Sequence, residues 1–319
     1  MKDRLGREID YIRISITDRC NLRCVYCMPG CGVPSVPHDM ILRFDEIVRL
    51  VKIFCSMGIK NVKITGGEPL VRKGTVGLIK DIKAMGGIEK VSMTTNGILL
   101  SENLKALAEA GVDSINISLD TLDRQKYLNI TGFDGLDTVL KAIDECRAFP
   151  EMKVKINTVT LADYNRNEIC AFADFAAEAG ATLRFIEMMP LGLGTGFGGY
   201  NQDEIMTVLE EAYGPAKTIN EEVGSGPAKY YSFEGMEGRI GFISPMSHKF
   251  CGSCNRIRLT SEGLLRPCLG SDKGVDLRKP MREGASDEEL ASLICEGITD
   301  KPAGHRFETT DSLMSKIGG

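Results

Sequence analysis

Six of the eleven cysteines fall into two spaced groups, and these are the residues whose types and spacing could do chemistry. Cys20, Cys24 and Cys27 follow the pattern Cys-x3-Cys-x2-Cys. Three thiolates on one short loop can hold three irons of a cubane [4Fe–4S] cluster and leave the fourth iron open. An open iron suits a cluster that binds and activates a ligand, because a plain electron carrier closes all four positions. The spacing alone leaves two plainer readings: a zinc knuckle, which wants a fourth ligand nearby, and three unrelated buried thiols.

The second group is Cys251, Cys254 and Cys268, spaced Cys-x2-Cys-x13-Cys. A zinc ribbon would supply a second Cys-x2-Cys pair, although His248 or His305 could complete a zinc site here. A second cluster with an open iron fits three ligands better. Between these cysteines lie Arg256 and Arg258, two apart on a predicted strand and so on one face. Two guanidiniums on one face suit phosphates; a solvated surface pair is the bland alternative. Of the remaining cysteines, Cys55, Cys146, Cys170 and Cys295 sit in helix-like runs and read as small hydrophobes. Cys31 lies close enough to the first loop to be a substitute ligand.

These groups must be positioned by the elements around them. The first half alternates strand and helix patterns. Strands are predicted at Tyr11–Thr17, Asn61–Thr65, Lys90–Thr95, Asp113–Asp120, Lys153–Leu161 and Ala181–Glu187, and helices at Phe44–Met57, Ser101–Ala110, Gly135–Arg147 and Asn165–Ala179. Gly58, Gly111 and Gly180 act as helix stops. Alternation of this kind implies a parallel sheet. Five of the strands keep one polar face: Arg13, Ser15 and Thr17 oppose Ile12, Ile14 and Ile16, and Asn116, Ser118 and Asp120 oppose Ile115, Ile117 and Leu119. Parallel strands covered on both sides should be apolar throughout. A partial barrel with a polar lumen explains the pattern; a one-side-wetted antiparallel sheet is the competing account. Six units fall short of the eight that close a full barrel. Gly66-Gly67-Glu68-Pro69 and Thr94-Thr95-Asn96-Gly97 end the second and third strands. The glycines permit either a close ligand approach or a tight turn.

After Pro190 the pattern changes. Leu191–Tyr200 is glycine-rich and predicts a mobile loop. A helix at Gln202–Ala212 follows, then short strands at Tyr230–Phe233, Arg239–Ile243, Arg256–Thr260 and Leu264–Arg266, and a last helix at Glu288–Glu296.

The chain has 319 residues, 43% hydrophobic and 26% charged, with a net charge of −5. That balance is ordinary for a globular protein and gives no basic surface for nucleic acid. No apolar run is long enough to span a membrane, and the start lacks a signal-peptide core. The expectation is a cytoplasmic protein whose thiols stay reduced.

The stretch Asp18–Cys27 resembles the cluster loop of the radical S-adenosylmethionine superfamily. There the open iron binds the amino and carboxylate groups of S-adenosylmethionine, and an electron splits the sulfonium to release a 5′-deoxyadenosyl radical. With both cysteine groups in view, the whole chain resembles the molybdenum cofactor biosynthesis protein A family of GTP 3′,8-cyclases. The resemblance rests on ITGGEPL, TTNG, INISLD, KINTV, RFIEMMPLG, SGPAKYY, GFISPMSHKFCGSCNRIRLTSEGLLRPCL and the final Gly-Gly, in family order from residue 11 to 319.

This resemblance implies an α/β fold, an incomplete six-unit TIM-like barrel (residues 1–200) whose open side is capped by a small α+β region (201–319). It implies two [4Fe–4S] clusters, one on Cys20, Cys24 and Cys27 for S-adenosylmethionine and one on Cys251, Cys254 and Cys268 for the guanine of GTP. Tyr26, Gly67, Ser118 and Met189 match S-adenosylmethionine contacts. Arg13, Lys63, Thr94, Lys155, Arg256, Ile257 and Arg258 match GTP contacts, with Arg184 a further candidate. Gly318 and Gly319 are expected to thread into the pocket, where only glycine is slim enough. The implied reaction takes the C3′ hydrogen of GTP, joins C3′ to C8, and gives 3′,8-cyclo-7,8-dihydro-GTP. It needs an external low-potential electron donor and hands its product to the next enzyme of the pathway; a homodimer is left open. The sequence departs from the family pattern in Lys63, where arginine is common, in Ser225 for aspartate, and in Cys31. A peptide-modifying radical enzyme with an auxiliary cluster and a non-enzymatic iron–sulfur or zinc protein are the competing readings.

Overall fold

A computed structural model describes residues 1–33, 36–220, 224–305, 307 and 313–318. Six strands follow the predicted alternation: β1 (Tyr11–Ser15), β2 (Asn61–Thr65), β3 (Lys90–Thr95), β4 (Ser114–Ser118), β5 (Lys153–Val159) and β6 (Thr182–Ile186). Helices α1 (Phe44–Ser56), α2 (Thr75–Lys83), α3 (Leu100–Glu109), α4 (Arg124–Thr131), α5 (Leu136–Glu145), α6 (Ala162–Asn165) and α7 (Ile169–Glu178) connect them. The six strands are parallel neighbours in chain order. Their apolar faces meet the helices in one core. Ile12, Ile14, Val62, Ile64, Met93, Ile115 and Ile117 lie there with Leu50 and Phe54 of α1, Leu107 of α3, Val139 of α5 and Phe172 of α7. Gly58, Gly111 and Gly180 all take positive φ, as helix stops should.

The C-terminal region supplies α8 (Gln202–Tyr213), β7 (Ala216–Ile219), β8 (Lys229–Phe233), β9 (Met236–Ile243), β10 (Arg256–Leu259), β11 (Leu264–Arg266) and β12 (Val275–Asp276). It also supplies α9 (Arg278–Arg282), α10 (Asp287–Thr299) and α11 (Met314–Ile317). It continues the same sheet at both edges, in the order β12-β11-β10-β1-β2-β3-β4-β5-β6-β9-β8-β7. β10 runs parallel to β1, and β9 runs parallel to β6. The parallel run thus has eight members, yet β10 and β9 do not pair with each other, and the barrel stays open.

Helices α2 and α4 escaped the sequence reading. The first carries Gly77 in its interior; the second buries only Tyr127, Ile130 and Thr131, too few for a clear apolar stripe. The segment Leu191–Tyr200, expected to be mobile, is packed. It forms a 3-10 turn at Gly192–Gly196, its end residues Leu191 and Tyr200 are buried, and the Tyr200 hydroxyl donates to the Asn165 side chain at 2.9 Å. Its glycines permit close packing as well as freedom.

Candidate active site

All six spaced cysteines border one cavity of about 320 Å³. Cys20, Cys24 and Cys27 lie on the loop after the carboxyl end of β1. Cys251 and Cys254 precede the amino end of β10, which runs parallel to β1, and Cys268 follows β11, antiparallel to β10. The two triads therefore stand at opposite ends of the strands. β1 between them has five residues, about 13 Å of strand.

The first loop is seated on the Gly66-Gly67 turn. Gly67 N–H donates to Thr17 O at 2.7 Å and Glu68 N–H to Arg19 O at 2.8 Å. A Cβ on Gly67 would lie 2.3 Å from Arg19 O. The close approach that the glycines permit is therefore to the cysteine loop itself. Glu68 is fully buried and accepts hydrogen bonds from Leu70 N, Thr95 Oγ1 and Asn96 N, tying the ends of β2 and β3 together. Burial raises its pKa to about 7, against the pull of those donors. Cys20 Sγ accepts from Leu22 N at 3.4 Å and lies 3.7 Å from Asn96 Nδ2. Burial pushes Cys20 up and Cys24 well up, with the Cys27 and Asp120 charges adding to the rise at Cys24. Tyr26 hydroxyl donates to Asp120 at 2.6 Å. Asp120 is raised to about 6 by burial, opposed by that bond and by Val159 N.

At the other end the surroundings are cationic. Arg256 reaches Cys254 Sγ at 3.6 Å and lies over the Phe250 ring. Burial would raise the Cys254 thiol, but Arg256 and Lys301 overcome it and bring it to about 6. Across the lumen, Arg258, Arg13 and Lys63 occupy one register level on three adjacent strands, β10, β1 and β2. Neighbouring strands are only about 4.8 Å apart, so like charges at one level repel. Burial depresses the Lys63 pKa strongly, and the charges acting on it are all cationic: Arg184, Arg13, Lys155 and Arg256. Arg258 is depressed by burial, then by Arg13 and Arg256. Arg184 is held by Asn157 Oδ1 and Asn116 Oδ1. Thr94 Oγ1 is buried without a hydrogen-bond partner.

Tyr26, Gly67, Ser118 and Met189 border the cavity, as do Arg13, Lys63, Thr94, Arg184, Arg256 and Arg258. Lys155 is buried on the polar face of β5 but lies outside that lining, and burial next to Arg184 lowers it to about 7. Ile257 turns no side chain into the cavity. Its side chain is fully buried in the apolar core, in register with Ile12, because it alternates with Arg256 and Arg258. Gly318 enters the lumen. Its carbonyl accepts from Arg258, and a Cβ there would meet Ser15 Cβ at 2.9 Å and Thr65 Cγ2 at 3.1 Å. Gly319 lies outside the described residues.

Both histidines named for a zinc site have a partner at Nε2, and His305 borders the cavity. His248 Nε2 pairs with Asp203 at 3.0 Å, and His305 Nε2 with Pro245 O at 2.8 Å. Sequence reasoning missed Glu68, Asn96, Asp120, Arg7 and Lys301. The first three lie inside motifs that it had quoted, so their signal was present. Arg7 and Lys301 carried no signal, since only the fold brings them beside the second triad.

A cysteine triad on the loop after the first strand of an open parallel barrel, with a ligand-sized cavity before it, goes with a match to the radical S-adenosylmethionine superfamily. Residues 14–176 match the model of the Radical SAM superfamily, and residues 181–307 match Molybdenum Cofactor Synthesis C. The chain is 47% identical over 327 aligned positions to the GTP 3′,8-cyclase of Clostridium perfringens strain 13, with both chains covered completely. It is 44% identical to the GTP 3′,8-cyclase of Pelotomaculum thermopropionicum, again over the full length of both. The chain belongs to the GTP 3′,8-cyclase family. Among solved structures, Streptococcus suis SuiB shares the fold, with a TM-score of 0.62 at 16% identity over 93% of this chain and 67% of that one. No helix among the described residues is long and apolar enough to cross a membrane.

Proposed function

We propose that this chain is the radical S-adenosylmethionine enzyme that converts GTP to 3′,8-cyclo-7,8-dihydro-GTP in molybdenum cofactor synthesis. The observation that carries the reading is one cavity bordered by two cysteine triads, with a level of three cations on its wall. Each triad offers three thiols to one cavity, the donor number that suits a cluster with an open iron.

In this reading Cys20, Cys24 and Cys27 hold one [4Fe–4S] cluster, and Cys251, Cys254 and Cys268 hold a second. When bound, the first supplies the electron that cleaves S-adenosylmethionine, so that a 5′-deoxyadenosyl radical can take the C3′ hydrogen of GTP. Tyr26, Gly67, Ser118 and Met189 bound the S-adenosylmethionine end. Tyr26 is fixed there by Asp120. Arg13, Lys63, Arg184, Arg256 and Arg258 oppose the triphosphate, and Lys155 adds charge from behind. A polyanion relieves the repulsion among these closely set cations. Thr94 Oγ1 gains the partner it lacks. Gly318 closes the lumen against Ser15 and Thr65 and helps exclude water from the radical.

The reading requires an external low-potential electron donor and a following enzyme that takes the cyclised nucleotide, and it leaves a homodimer open. It divides the chain near residue 200, with the radical barrel before and the second cluster after. Free thiols and clusters suit the reducing cytoplasm. The test is anaerobic. The reconstituted, reduced protein is given S-adenosylmethionine and GTP deuterated at C3′. Deuterium in 5′-deoxyadenosine is the expected result; unlabelled 5′-deoxyadenosine would move the reading to another substrate.

A further inference from the structure

The first ten residues belong to no motif, yet they reach the second cysteine triad. Lys2 pairs with Glu8 in an isolated antiparallel bridge, and Gly6, at φ +75°, makes the turn. Inside this turn Asp3 accepts from Arg7 Nε at 2.6 Å and from Arg7 N at 2.9 Å. Both side chains are almost wholly buried. The rest of the Arg7 fork is given to three carbonyls: Nη1 to Cys251 O at 2.9 Å, and Nη2 to Lys301 O at 3.1 Å and Pro302 O at 2.9 Å. Lys301 continues the path. Its Nζ donates to Arg256 O at 2.6 Å and to Pro267 O at 2.7 Å.

We infer that Arg7 and Lys301 form a clamp that sets the spacing of the second triad. Every cysteine of that triad is touched through its own main chain or a near neighbour's. Cys251 is held by its carbonyl, Cys254 through Arg256 two residues on, and Cys268 through Pro267 directly before it. The three thiols come from the two ends of the β10–β11 hairpin, whose ladder stops at Arg258 and Arg266 and does not reach the cysteines themselves. A planar fork with five donors can serve Asp3 and three carbonyls at once; an ammonium in its place cannot. Each buried carbonyl left without its donor would strain the site, and the triad would lose the geometry a cluster demands. The two residues are positioning residues: they act on the cysteines' main chain.

This inference rests on the second cluster proposed above, and the experiment separates the two. Iron and sulfide are measured after anaerobic reconstitution of the full chain in two backgrounds. In one, Cys20, Cys24 and Cys27 are alanine; in the other, Cys251, Cys254 and Cys268 are. Each background should hold about four irons. Adding R7K or K301M to the first background should bring iron below about one per chain, or shift the EPR spectrum of the remaining cluster. The same changes in the second background should leave its four irons and its spectrum as they were. No iron in the first background before any clamp change would remove the second cluster itself. Four irons with an unchanged spectrum in both clamp variants would overturn the clamp. Loss of iron in both backgrounds would also overturn it, since the contacts would then serve the fold as a whole.

Discussion

The two cysteine triads face one cavity from opposite ends, and their surroundings carry opposite charge. Around the first lie Glu68 and Asp120, both buried, and the Cys20 and Cys24 thiols are pushed up. Around the second lie Arg256 and Lys301, and the Cys254 thiol is brought down to about 6. The difference matches the proposed ligands. S-adenosylmethionine carries a sulfonium and an ammonium, and carboxylates favour cations; GTP carries a triphosphate, and guanidiniums favour anions. In the proposed reading, one open barrel would sort two ligands along its axis by charge. The same sheet that carries the first loop receives β10 as a neighbour, which is how the second triad comes to the other end.

The largest effects should come from breaking one triad at a time. Cys24→Ala should abolish both 5′-deoxyadenosine formation and cyclisation. Cys254→Ala should abolish cyclisation while leaving some cleavage of S-adenosylmethionine. Both products are measured chromatographically in the same anaerobic assay. If the two variants lose the same reactions, the triads do not divide the work between them.

Gly67→Ala tests the seat of the first loop. The added methyl meets a main-chain oxygen at 2.3 Å, which no rotamer change can relieve. Overpacking of this kind costs about 1–3 kcal/mol. The expected outcome is loss of the first cluster's iron, with the second retained. An unchanged iron content would mean that the loop can lift without losing its geometry.

Lys63→Met sharpens the comparison from the other end. It removes one of three cations at one level, itself buried, so the ligand-free protein should melt a few degrees higher. GTP should bind at least tenfold more weakly, since a charge-assisted contact is worth about 1.5–3 kcal/mol. S-adenosylmethionine binding should not move. Calorimetry with each ligand and a thermal melt check all three.

Much of this was legible before the fold was known. The alternation that put Arg13, Lys63, Thr94, Ser118 and Lys155 on one face follows from the two-residue period of a strand, and the lumen holds that face. What was not legible depends on contacts distant in sequence. Alternation alone turns Ile257 into the core, although it sits between two arginines. The glycines before Glu68 read as either a ligand approach or a tight turn, because nothing local shows that residues 17–19 pass over them. Arg7 and Lys301 meet across 294 positions, and no spacing rule reaches that far. Pairing of β10 with β1 and of β9 with β6 is likewise a long-range choice that short strands do not announce.

The smallest effect is a proton. Lys155 is lowered to about 7 by burial and by Arg184, against an ordinary value of 10.5. Between those values the unfolded chain binds a proton that the folded chain has released, so this lysine makes the ligand-free protein more stable as pH rises from 7. A triphosphate in the lumen favours the ammonium and lifts its pKa again. At pH 8, GTP binding should therefore take up protons, and GTP affinity should fall as pH rises above 7. Titration calorimetry in two buffers of different ionisation enthalpy reads the uptake directly. Lys155→Met should lower it, and S-adenosylmethionine, bound at the carboxylate end, should show no such dependence on this residue. Equal uptake in the variant and the parent would assign the proton to Lys63 alone and take Lys155 out of the GTP site.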